Sequence, residues 1–183
     1  MTGMIRDVLV RHFSEGSQVE SPDLRRYVWT EGDQTGIAIE SIHVWREQLS
    51  MRRPAVLIKP NAYKLVRIAL NDLSGITEDG STTHTKLCVG SHTVFCLQKS
   101  GAAAEILATE VEGILDGFAP VLRRHLGLNR FEVLEVGGVE EIDESSEHFG
   151  AAVTVGWAFK KTRALHPESL PIKRFDLSTV LTD

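Results

Sequence analysis

The chain has 183 residues, 42% of them hydrophobic and 25% charged, which suits a soluble globular protein with one core and excludes a disordered chain. No apolar run approaches the roughly 20 residues that span a bilayer, so no membrane partner is expected. The opening Met-Thr-Gly-Met-Ile-Arg-Asp also lacks the pattern of a secretory leader. A formal net charge of −5 argues against a nucleic-acid binder that works by phosphate neutralisation.

Residues 4–13 place Ile5, Val8, Leu9 and then His12 or Phe13 at steps of three and four, the stripe of a short amphipathic helix. Residues 14–23 are polar, carry Gly16 and Pro22, and read as a loop. Residues 24–29 are expected to form a short strand, and 31–36 a turn-rich spacer. Apolar alternation at Ile37 and Ile39 shifts phase to Ile42 and Val44, as in a bulged strand or a strand running into a helical turn. A compact apolar run from 55 to 58 sits between Pro54 and Pro60. Proline has no N–H, so each marks a strand end or edge. Residues 64–70 are a further strand candidate. Residues 71–83, with Gly75 and Asp79-Gly80, are expected to be a loop or hairpin connection.

The stretch 85–128 dominates the pattern. From 85 to 98 the residues are β-branched, aromatic or aliphatic at a period near two. After Ser100 the period becomes 3.6: Leu107, Val111, Ile114, Leu115, Phe118, Val121 and Leu122 draw one helical stripe. Glu105, Glu110, Glu112 and Asp116 fall between them and are assigned to the solvated face. Ser100 suits the N-cap, and Arg123, Arg124 and His125 suit the negative end of the helix dipole. Pro120 is expected to kink or restart the helix. Residues 131–136 form another strand. Residues 151–159 give the cleanest alternation, with Ala151, Val153, Val155, Trp157 and Phe159 on one face. An acidic segment lies between them at 139–148, and a tail with Pro167 and Pro171 follows 165. The whole reads as a single domain over 1–183, with an N-terminal helix and linker at 1–35 and an extended C-terminal tail at 164–183.

Chemistry-bearing residues are sparse. The two cysteines, Cys88 and Cys96, would be about 26 Å apart on one continuous strand, too far to bond. A turn at Gly90-Ser91 would bring them closer. Reduced, buried thiols are the expectation. Seven histidines are scattered without zinc spacing, and no Cys-x-x-Cys, phosphate loop or nucleophile elbow occurs. A Cys96–His92 nucleophile pair can be drawn, but a reactive thiol needs an electropositive, partly open site, and Cys96 lies in an apolar run. The carboxylates of 132–148 lack the ligand spacing of a calcium loop. No catalytic, cofactor-binding or metal-binding residue is assigned, and no cofactor is expected. Acidic groups at Glu140, Glu141, Asp143, Glu144 and Glu147 lie apart from basic groups. These are Arg52, Arg53, Lys59, Lys64 and Arg67; Lys160, Lys161 and Arg163; and Lys173 and Arg174. Such separation permits head-to-tail association, which gives a ring when the rotation closes.

A set of short phrases in a fixed order carries a resemblance. After a short N-terminal helix come Gly-Ile-Ala-Ile-Glu at 36–40 and Arg-Pro-Ala-Val-Leu-Ile at 53–58. Next are Gly-Ser-His-Thr-Val-Phe-Cys at 90–96, Glu-Ile-Leu-Ala-Thr-Glu-Val at 105–111 and Phe-Glu-Val-Leu-Glu-Val-Gly at 131–137. A late alternating strand and a Leu-Pro-Ile-Lys exit complete it. Over residues 36–175 the chain resembles the tail-terminator and related neck (head-tail joining) proteins of tailed bacteriophages. The resemblance implies an α+β fold: a twisted, mostly antiparallel sheet with a long helix packed on one face and a short N-terminal helix. It implies a structural virion protein of the phage neck, assembled in the host cytoplasm, and not an enzyme. Such a homo-oligomer, typically a homohexamer ring, caps the tail tube, stops its polymerisation and docks the tail on the head connector. Implied partners are the tail tube protein, the neck proteins and a tail sheath or collar, with DNA passing through the lumen without specific binding. The rivals are another neck or head-completion (stopper) protein, a small thiol-dependent enzyme using Cys96 and His92, and a regulatory binding module.

Overall fold

The computed structural model describes residues 1–33, 35–44, 54–68, 73–76, 80–142 and 148–166. Helix α1 spans Thr2–Ser14. Five strands follow: β1 (Ala38–Ser41), β2 (Ala55–Pro60), β3 (Lys64–Arg67), β4 (Leu73–Ile76) and β5 (Thr82–Gln98). Helix α2 spans Gly101–Leu126, and β6 (Arg130–Val136), β7 (Glu140–Glu141) and β8 (Phe149–Leu165) complete the order. Among the described residues these eight strands form one mixed sheet. Its path is β1-β2-β5-β8-β6; β3 and β4 pair β5, and β7 pairs β8. β1 runs parallel to β2. The pairs β2/β5, β4/β5, β6/β8 and β7/β8 are antiparallel. The α+β architecture and the long helix on the sheet are as the resemblance implies.

Contacts divide the chain into two compact units, Met1–Lys64 with Cys88–Phe159, and Leu65–Leu87 with Lys160–Asp183. The core of the first follows from the period of two. Ile37, Ile39, Val56, Ile58, Val94, Cys96, Val153 and Val155 point to one face of the sheet. There they join Ile5, Leu9 and Phe13 of α1 and Leu107, Val111, Leu115 and Leu122 of α2 in one cluster. Residues of opposite parity, Ala38, Ala55, Leu57 and Leu97, form a smaller cluster on the other face. Ser100 caps α2, its Oγ accepting from the Ala103 N–H, and Gly127 closes it with a φ of 61°. In the second unit the Ser81 and His166 side chains are hydrogen-bonded at 2.9 Å, and the Thr85 and Thr162 hydroxyls lie 3.4 Å apart. All four residues of β3 are exposed.

Several expectations need correction. Residues 24–29 are not a strand but turns, with the Tyr27 N–H donating to the Leu24 carbonyl and Trp29 N–H to Phe13 carbonyl. Leu24 is anchored in the helix-side core, so its apolar character serves packing and not a sheet. Of the two readings of 71–83 the hairpin holds: β4 and β5 are consecutive antiparallel strands, with Gly75 and Ile76 paired to Thr83 and Thr82. β2 is interior, between β1 and β5, so its flanking prolines mark its ends and not an edge. β5 runs unbroken through Gly90-Ser91, so no turn approximates the cysteines. Helix α2 is continuous through Pro120, which is exposed. Of the two readings of the phase shift after Ile39, the strand running into a turn holds: β1 ends at Ser41 and the turn is closed by the Val44 N–H donating to the Ser41 carbonyl. Arg52, Arg53, residues 143–147 and most of the tail lie outside the described residues.

Candidate functional site

The first place to look for chemistry is the face of β5 that carries Cys96 and His92. Cys96 is fully buried in the helix-side core, and burial pushes its thiol pKa up. Cys88 is also buried and free. His92 is only 3% accessible. Its Nδ1 lies 2.9 Å from Trp157 Nε1, and its Nε2 lies 3.0 Å from Thr2 Oγ1. Indole N–H can only donate, so Nδ1 must accept and Nε2 carries the imidazole proton and donates to Thr2. The ring is thereby held neutral. Desolvation, with a smaller contribution from the Met1 amino group, lowers its pKa to about 4. Both ring nitrogens are committed to Trp157 and Thr2, and none of the hydrogen bonds of His92 goes to Cys96. The cluster ties the first turn of α1 to β5 and β8. Gly90 makes room for it, since a Cβ there would meet Trp157 at 2.4 Å.

A second buried polar cluster was assigned wrongly from the sequence. Glu110 is not on the solvated face; it is buried. Its Oε1 lies 2.8 Å from His12 Nε2 and accepts from the Glu20 N–H, and its Oε2 accepts from the Ser21 N–H. The loop after α1, anchored by buried Val19 and Leu24, lies across the helix there and supplies these donors. The signal available in the sequence was His12, an otherwise odd residue in the apolar stripe of α1, which needs a polar partner.

Beside this cluster, along α2, lies a groove of about 780 Å³. Its lining includes Glu20, Glu105, Gly113, Gly117, Phe118 and Val121. A Cβ at Gly113 or Gly117 would meet nothing within 4 Å, so both glycines open onto free space. Elsewhere in the first unit Leu134, Val136, Val139 and Ile142 are exposed on and after β6; in the second, Leu65, Val66, Ile68 and Ile76 are exposed on and beside β3 and β4. Among the described residues no group of three or more His, Cys, Asp and Glu side chains could hold a metal. No helix among them is long and apolar enough to cross a membrane. No protein-family model matches this chain, and no curated protein is similar to it.

Proposed function

We propose that the protein is a structural component of a phage neck, a tail terminator that assembles into a ring on the end of the tail tube. The observation that carries this reading is the apolar surface left on regular strands. Leu134 and Val136 are 50% and 46% accessible on β6, and Ile76 is 66% accessible on β4. A bulge between Val133 and Glu135 turns Leu134 and Val136 to opposite faces of β6, and large apolar side chains left exposed on the strand that ends a sheet path are characteristic of an edge that another chain covers. The order of sequence phrases shared with neck proteins gives the kind of assembly.

On this reading the mechanism lies in interfaces. Lateral contacts pair the acidic Glu140-Glu141 edge with exposed cations such as Lys59 and Lys160 of the next copy. One axial face matches the last tube ring and the other binds the connector, and a negative lumen lets DNA slide without sticking. The neutral, fully bonded His92 and the inaccessible Cys96 disfavour the thiol-enzyme rival. The test is electron microscopy of particles assembled without the protein. Overlong or unjoined tails are expected. Normal tails with heads leaking DNA would overturn termination in favour of head completion.

A further inference from the structure

We infer that the groove along α2 is a docking slot for residues 171–177 of a second copy of the chain. The inference rests on the ring reading only in that the donor is a neighbouring subunit. Three features of the slot select the occupant. Its floor is apolar and unfilled: Ile106, Phe118 and Val121 line it, and Gly113 and Gly117 leave open space between them. Glu20 and Glu105 also line it, neither is ion-paired with a described residue, and no Lys or Arg is among the lining residues. The third carboxylate, Glu110, is already saturated by His12 and two backbone N–H groups. The slot therefore asks for apolar side chains flanking one or two cations. Its length is that of α2 from Glu105 to Val121, about 24 Å at 1.5 Å per residue.

Residues 171–177 read Pro-Ile-Lys-Arg-Phe-Asp-Leu, and Lys173 and Arg174 are the only Lys or Arg after His166. Seven residues of chain reach about 24 Å. Ile172, Phe175 and Leu177 supply apolar side chains for the space beside the two glycines; the two cations supply partners for Glu20 and Glu105. Of the other segments outside the described residues, 69–72, 77–79 and 143–147 contain no cation. The segment 45–53 does, but it is tied at both ends to strands, β1 before it and β2 after it, whereas 171–177 follows β8.

The test is disulfide trapping between full-length chains. Gly113→Cys and Phe175→Cys are made separately and mixed in equal amounts under mild oxidation. The native cysteines, both buried, stay out of the reaction. A control mixture uses Gly138→Cys, an exposed glycine outside the groove with nothing within 4 Å of its Cβ. The expected result is a Gly113→Cys to Phe175→Cys heterodimer formed several-fold faster than the control, slowed by Lys173→Glu with Arg174→Glu on the donor and by high salt. Leu177→Cys serves as a second donor and is expected to trap as well. Trapping at the control rate with both donors overturns the inference. Light scattering on the untrapped chain separates the two readings. Ring-sized particles without specific trapping leave the ring and remove the docking slot; specific trapping in particles that stop at dimers does the reverse.

Discussion

His92 shows how one buried side chain sets a pH limit. Its folded pKa of about 4 lies below the ordinary 6.5, so between those values the unfolded chain binds a proton that the folded chain refuses. Stability is then complete above pH 6.5 and falls as the pH drops towards 4. The full displacement corresponds to on the order of 3 kcal/mol. Urea denaturation at pH 7, 5.5 and 4 should show this loss, and His92→Leu should flatten the part due to this ring. The same variant should be less stable at pH 7 by about 1–3 kcal/mol, because the Trp157 N–H loses its acceptor in a buried site. An unchanged slope in His92→Leu would show that other groups titrate in its place. Glu110 gives the complementary case. Glu110→Ala removes the acceptor for His12, Glu20 and Ser21 at once, an expected cost of about 3–5 kcal/mol. Hydrogen exchange at the Glu20 and Ser21 amides should accelerate in this variant.

At the scale of elements, much was legible because local signals and packing agree. The alternation at Ala151 to Trp157 buries Val153, Val155 and Trp157, and the stripe from Leu107 to Leu122 buries all its large apolar groups except Phe118, which is half-buried, and Val121, which is exposed beside the groove. Ser100 and Gly127 end α2 by the chemistry their residue types favour. What failed depended on a distant element. The burial of Glu110 is decided by a loop some ninety residues earlier in the chain. Local propensity also overstated Pro120. An exposed proline late in a helix that is held by Ala119 and Leu122 in the core bends the odds without ending the helix. Pro120→Ala should therefore restore a helix-interior residue without loss of packing, raising stability by up to about 3 kcal/mol. A shift of the thermal midpoint upward checks this, and no shift would mean that proline's restriction of the unfolded chain offsets the gain.

For the whole molecule, the proposed function leaves no sign of a site in the sequence, because the residues it would bring together are apolar and lie on strand surfaces. Leu134 and Val136 look like ordinary strand residues until β6 is found at the end of the sheet path, where no further described strand pairs. An assembly held by such surfaces has a defined concentration signature. Association stabilises the folded chain by mass action, so the thermal midpoint should rise with protein concentration. Leu134→Lys with Val136→Lys places charge on an exposed surface, and substitutions at such sites ordinarily change monomer stability by only about 0.5 kcal/mol. If β6 meets a neighbour in the proposed ring, the same pair would put two cations at that contact. The double variant should then lose the concentration dependence and sediment as a smaller species, while its midpoint at the lowest concentration stays close to that of the parent chain. A midpoint independent of concentration in the parent chain, with the double variant indistinguishable from it, would show that this edge of the sheet is not where the copies meet.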